Sequence, residues 1–252
     1  MSGHSKWATI KRKKGATDAA RGRLFTRLIK EITIAARSGG NPEGNPRLRL
    51  AIQTAKASNM PADNIKRAIQ KGTGELPGVA YEEVTYEGYG PGGVAILVEV
   101  VTDNINRAVS EMRHVFSRNN GNLGTAGSVG WMFHKKGLIT IPRSGQKTPL
   151  TEDDLLGIIL DAGADDLQSD DAEFTVTTTP QTFDPVKKAV EEKGITVEHA
   201  TLQMVPQNTV KVTGREAEQL MKLMEALEEH DDVQNVYANF DIDEKELASL
   251  NN

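Results

Sequence analysis

The spacing of apolar residues changes once along this chain, near residue 80, so no single layer of secondary structure can hold the whole of it. Before that point apolar residues recur at helical spacing; after it they alternate as in half-buried strands. At about 100° per residue, Leu24, Phe25, Leu28, Ile29, Ile32, Ala35 and Ala36 share one face of a helix over 21–38. Arg23, Arg27, Lys30 and Arg37 gather on the other face and predict a solvent-facing cationic stripe. Gly39-Gly40 stops this helix, and Asn45-Pro46 supplies an N-cap and an N1 proline for a second, roughly 46–58. Pro61 opens a third helix, closed by Lys71-Gly72, and Thr73–Gly78 reads as a linker.

Beyond the linker, Tyr81–Glu87, Val94–Val101 and Gly127–Phe133 read as strands, with Asn104–Arg118 helical. Thr209–Val212 and Val233–Ala238 are expected strands flanking a helix over Arg215–Glu229. Together these give the split βαβ pattern of a ferredoxin-like sandwich. The stretch between repeats the theme: strand Leu138–Ile141, a helix capped at Thr151-Glu152-Asp153-Asp154 and running to Asp161, a short pair at Asp165–Gln168 and Glu173–Thr178, helix Phe183–Lys193, and strand Thr196–Met204. The fold class is therefore α+β. A basic arm and three-helix domain (1–77) precede two ferredoxin-like α/β sandwiches, the second (137–204) inserted into the first (78–136 plus 205–240).

Charge divides the chain at the same place. Residues 1–72 carry 16 Lys and Arg against four acids, a net of +12, whereas residues 73–252 carry 14 against 31, a net of −17. A basic segment on an acidic body is the electrostatic footprint of a nucleic-acid partner, with the body steering the encounter. Lys6, Lys11, Arg12, Lys13 and Lys14 make residues 1–20 a basic arm that would order on a phosphate backbone. His4, Ser5, Lys6 and Trp7 combine a cation, a hydroxyl and an aromatic face suited to phosphate and base, although Trp7 packing on the helical domain explains the same residues. Asn59 and Met60 lie in a polar connection whose single apolar tip would probe a groove; a turn that tucks Met60 into the core is the plainer reading.

Other motifs carry no chemistry. Tyr89-Gly90-Pro91-Gly92-Gly93 lacks a Gly-Lys-Ser/Thr ending and precedes a strand, so it is a hairpin turn and not a phosphate loop. Gly124–Gly130 fails the frame of a nucleophile elbow, because Ala126 stands where its first glycine belongs. The five histidines are dispersed and the chain has no cysteine, so no metal site, cofactor site or thiol chemistry is expected. Acidic pairs such as Asp153-Asp154 and Asp231-Asp232 read as capping and solvation. No catalytic constellation assembles. The absence of cysteine suits a reducing cytoplasm, and no run of about 18 apolar residues or signal-type N-terminus is present.

Five stretches then resemble the YebC family: Gly3-His4-Ser5-Lys6-Trp7, Pro46-Arg47-Leu48-Arg49, Asn59-Met60-Pro61 with Asn64-Ile65 and Arg67-Ala68-Ile69, Tyr86 to Gly93, and Gly121-Asn122-Leu123-Gly124. The resemblance implies a bacterial cytoplasmic protein of one helical and two α/β domains, and it adds Arg47 and Arg49 to the candidate cations. It carries two functional labels: a DNA-binding transcriptional regulator, and a translation factor. The latter implies partnership with ribosomal RNA and the ribosome, with relief of stalling at proline-rich sequences, alongside a mitochondrial relative that activates translation of cytochrome c oxidase subunit I. The connections Gly39–Gly44 and Ser58–Pro61 do not suggest the tight turn of a helix-turn-helix, which favours backbone and shape recognition on RNA over sequence reading on DNA. A protein-interaction scaffold, using an exposed sheet edge, is the third reading. No membrane or small-molecule partner is expected.

Overall fold

The computed structural model describes residues 18–243 and residue 246. Its helices and antiparallel sheets are those of an α+β protein. In the basic region, α1 (Asp18–Ala35) ends in a 3-10 turn, Ala36–Ser38. The next helices are α2 (Pro46–Ala57) and α3 (Ala62–Thr73). Asn45 joins the first two. Its side-chain oxygen accepts from the Leu48 amide at 3.0 Å, while its amide nitrogen donates to the carbonyls of Ala35 and Gly39 at 2.7 and 2.9 Å. One buried side chain thus caps one helix and satisfies orphan carbonyls of another. Leu28, Ile32, Leu48, Ala55, Ile65 and Ala68 are the centre of the aliphatic core these helices enclose.

Gly72, expected to end the third helix, does not end it; the left-handed Gly74 (φ 83°) does. Gly72 is instead the point at which α3 crosses α1. A Cβ there would lie 2.3 Å from the Thr33 carbonyl oxygen and 2.6 Å from the Ala36 Cβ. Propensity alone makes Gly→Ala inside a helix stabilising by about 1 kcal/mol. The crossing reverses the sign: Gly72→Ala is expected to cost about 1–3 kcal/mol, because backbone on α1 must shift. Urea unfolding followed by helical circular dichroism measures it, and a gain in stability would disprove the close crossing.

The acidic body begins with a hairpin, β1 (Glu82–Tyr89) and β2 (Ala95–Thr102), turned through Gly92 and Gly93, both at positive φ. After α4 (Ile105–Arg118), β3 (Asn122–Leu123) adds two residues beside β1. The later elements are β8 (Val210–Lys211), α7 (Gly214–Glu229), β9 (Val233–Ala238) and β10 (Phe240–Asp241). The sheet order is β3-β1-β2-β9, with α4 and α7 packing Met112, Phe116, Leu220 and Leu227 against Ile96 and Val98. The strand expected at Thr209–Val212 is not part of this sheet; among the described residues β8 pairs with β10, in parallel, and it is β2 that lies beside β9.

Nor is Gly127–Phe133 a strand. Glu87, on β1, accepts hydrogen bonds from the amides of Gly127, Val129 and Gly130 at 2.7, 2.6 and 2.6 Å. Those donors, which a strand ladder would need, are spent on one carboxylate. Burial pushes the Glu87 carboxyl up, but the three amides outweigh it and hold it below its ordinary value of 4.5. A depressed folded-state value means that the stabilisation is complete above the unfolded value and is lost as pH falls through the folded one. Glu87→Gln is therefore expected to cost about 1–3 kcal/mol at neutral pH, with the difference from wild type shrinking below pH ~4. Denaturant midpoints measured from pH 3 to 7 test it; a difference independent of pH would contradict the assignment.

Residues 131–208 form a separate compact unit. Its elements are β4 (Phe133–Pro142), α5 (Glu152–Asp161), β5 (Asp166–Ser169), β6 (Glu173–Thr178), α6 (Phe183–Glu192) and β7 (His199–Pro206). The antiparallel order β5-β6-β4-β7 is the βαββαβ arrangement, filled by Ile139, Ile141, Leu155, Phe174 and Val186. The Thr151 cap is a capping box closed by Asp154. The unit starts before residue 137 because β4 pairs with β7 without a break from Phe133↔Pro206 to Thr140↔His199. The bond from the Gln207 amide to the Met132 carbonyl, 2.9 Å, closes the two ends together.

Candidate nucleic-acid interface

Of the sequence candidates, His4, Ser5, Lys6, Trp7, Lys11, Arg12, Lys13 and Lys14 lie outside the described residues. The stripe on α1 is described, and it does not face solvent throughout. Lys30 is buried, its ammonium 2.7 Å from the Asp232 carboxylate, 2.9 Å from the Asp231 carbonyl and 3.1 Å from the Val101 carbonyl. Arg27 donates to the Glu228 carbonyl at the end of α7, and Arg23 pairs with Glu229 at 3.2 Å. Burial lowers the Arg27 value, which Glu228 raises in part and Arg23 lowers further. A polar face marks solvent only when no oppositely charged surface meets it, and the acidic end of α7 meets this one.

Asp232 is the centre of that contact. Its second oxygen accepts from the Thr102 hydroxyl at 2.8 Å and the Arg107 guanidinium at 3.0 Å. Burial pushes the carboxyl up, but Lys30, Arg107 and Thr102 hold it below the ordinary range. The Asp231-Asp232 pair, read from sequence as solvation, thus contains a buried acceptor. Arg47 is also engaged, 2.7 Å from Glu31 and 2.5 Å from Glu83, and these bonds raise its value well above that of a free arginine.

Within the helical region, exposed cations without an ion-pair partner among the described residues lie elsewhere. They are Arg37 at the end of α1, Arg49 and Lys56 on α2, and Lys66, Arg67 and Lys71 on α3. Arg49 bonds only the carbonyls of Pro42 and Glu43. Arg49 and Lys56 stand seven residues apart, two turns along one face, as Arg67 and Lys71 stand four apart. Lys56, Lys66, Arg67 and Lys71 were not singled out as site residues from the sequence. The signal that marks them is the poverty of acids: α2 has three cations and no acid, and α3 three cations and Asp63 alone.

Between these helices the turn is four residues, Ser58–Pro61, with Asn59 left-handed at φ 58°. A turn of four residues lies within the length range of helix-turn-helix connections. Met60 is 5% exposed and packs in the helical core, so Asn59, which is exposed, and not Met60, tips the turn. Among the described residues no cluster of three or more His, Asp or Glu is arranged for a metal ion, and no helix is long and apolar enough to cross a membrane.

The chain matches known proteins over nearly its whole length. Residues 5–75 match the TACO1/YebC protein N-terminal domain, and residues 81–240 the TACO1/YebC second and third domain. A probable transcriptional regulatory protein of Koribacter versatilis is 60% identical over 250 residues, covering 99% of both chains. One of Chlorobaculum tepidum is 58% identical over 252 residues, again 99% of both. The crystal structure of a conserved hypothetical protein of Aquifex aeolicus superposes with a TM-score of 0.79 at 48% identity, covering 90% of this chain and 93% of that one. On the strength of these matches, which include both domain descriptions in order, the chain belongs to the TACO1/YebC family.

Proposed function

We propose that this protein is a non-enzymatic, nucleic-acid-binding regulator of gene expression that grips the phosphate backbone with α2, α3 and the turn between them. The observation that carries this reading is the concentration there of exposed cations that no described carboxylate neutralises, while Arg23, Arg27, Lys30 and Arg47 are engaged within the fold. Cations left without acids on an otherwise acidic molecule are what counterion release from a polyanion requires.

The names of the relatives support transcription, with duplex DNA as the target. The four-residue turn is compatible with it, and in a helix-turn-helix reading α3, with Asn64, Lys66 and Arg67, would be the recognition helix. Phosphate contacts carry no base information, so the same surface suits ribosomal RNA, and a translation factor relieving stalls at proline-rich sequences is the second reading. Fluorescence anisotropy against duplexes selected from genomic DNA, random duplex and purified ribosomes separates the two. Preference for a selected duplex by at least ~10³ over random sequence is the outcome for transcription. Tight ribosome binding without such preference is the outcome for translation. Binding to none of these would return the chain to the scaffold reading.

A further inference from the structure

The seam between the helical region and the body differs from the interiors on either side of it. The apolar cluster of α1–α3 and that of the body are separate. The contacts described across the seam are polar: Arg23 to Glu229, Arg27 to the Glu228 carbonyl, Lys30 to Asp232, Asp231 and Val101, and Arg47 to Glu83. Lys30 also stands 5.7 Å from the centre of the Tyr81 ring. Exposed ion pairs contribute little and are screened by salt. The buried Lys30–Asp232 pair, with side chains 7% and 9% exposed, recovers in attraction roughly what its ions lose in hydration. A joint built this way is specific in geometry and weak in net energy.

What the body offers these cations is chemically a stand-in for a phosphodiester. Arg23, Arg27 and Lys30 follow one another at i, i+4 and i+7, about 10 Å along α1. Their hydrogen-bond acceptors are oxygens: the Glu229 and Asp232 carboxylates, the Glu228 carbonyl at the negative end of α7, and the Asp231 and Val101 carbonyls. The fit is incomplete: Arg27 Nε is buried with no hydrogen-bond partner, a donor for which the body provides no acceptor. An unpaired buried guanidinium donor is costly, and an anion with more oxygens would satisfy it.

We infer that the end of α7 is an internal pseudo-ligand that masks a second nucleic-acid-binding face, and that the helical region undocks to exchange these acceptors for backbone phosphates. This rests on the nucleic-acid reading above and adds regulation to it. In the docked state only the α2–α3 surface is open to a partner; in the undocked state α1 contributes Arg23, Arg27 and Lys30. Free acidic polymers would compete through the same groups, and raised salt would loosen the seam while weakening the encounter.

The chain has no cysteine, so a pair introduced at Arg23 and Glu229, whose side chains meet at 3.2 Å and are partly exposed, is unique. The full-length Arg23→Cys/Glu229→Cys variant, bridged by a short reducible crosslinker, is compared with itself after reduction. The probe is a random-sequence DNA duplex, and the reading is the slope of log affinity against log salt. Bridging is expected to lower the magnitude of the slope by about two, the share of Arg27 and Lys30 at ~0.9 per phosphate, and reduction to restore it. As a second variant, Asp232→Asn in the otherwise unchanged chain is expected to bind the duplex more tightly with a steeper slope. If bridged and reduced protein give the same slope while both bind, the seam is a permanent joint and the inference fails alone. If wild type shows no salt-dependent affinity for DNA or RNA, the nucleic-acid reading fails and takes this inference with it.

Discussion

Replacing Lys56, Lys66, Arg67 and Lys71 together by alanine is expected to lower the magnitude of the salt slope of nucleic-acid affinity by about 3.6, at ~0.9 for each phosphate no longer neutralised. Affinity itself should fall by more than ~10² at moderate salt, since each decade of salt is multiplied through the same exponent. Folding should be spared. All four residues are exposed, none is in a described ion pair, and alanine is the strongest helix former. Anisotropy titrations between ~50 and ~300 mM salt measure both quantities, with circular dichroism confirming that α2 and α3 persist. Lys187→Ala/Lys188→Ala makes a control, because these lysines pair with Glu191 and Glu192 on α6 and lie in the acidic inserted unit. An unchanged slope in the fourfold variant would move the binding surface off α2 and α3 altogether.

The second large effect is on stability. Phe116→Ala is expected to cost about 3–5 kcal/mol, toward the upper end. Phe116 has no exposed surface and lies between β1 and the turn after α4. Its ring fits there because two positions carry no side chain. A Cβ on Gly88 would come within 2.6 Å of the ring, and one on Gly121 within 3.1 Å. Two walls of the resulting cavity are therefore backbone, which cannot relax inward as side chains do, so little of the dispersion energy of the ring is recovered. Denaturant unfolding should show the loss in the transition of the body alone. The inserted unit has its own core around Ile139, Phe174 and Val186, and its transition should keep its midpoint. A cost below about 1 kcal/mol would show that the site collapses, contrary to the backbone packing.

Legibility from the sequence followed the range of the interactions involved. Helix ends were readable where one or two residues dictate them, as at Asn45-Pro46 and the Thr151 capping box. The βαββαβ order of the inserted unit was readable because each element is long enough to show its period. Failures occurred where a distant group decides. The composition of Gly127–Phe133 suits a strand, but Glu87, forty residues earlier, takes the amides. Lys30 sits on the polar face of its helix, yet its burial is set by Asp232, 202 residues away. The two-residue strand β3 has no period to detect, and β8, whose position the sequence does show, pairs with β10 and not with the large sheet. For the candidate site, charge concentration pointed to the helical region, while the exposed set within it depends on which cations the body neutralises.

Because β4 and β7 begin and end side by side, with Phe133 opposite Pro206 and Gln207 bonded to Met132, the chain leaves and re-enters the body at nearly one point. For the host, an intervening domain of this kind is entropically equivalent to a short loop, since the guest, not the host, bears the closure cost of its length. Such an insertion point tolerates exchange. Cutting out residues 131–208 and rejoining the chain through a few glycines should leave the host fold intact, and an unrelated domain with adjacent termini should be accepted in the same place.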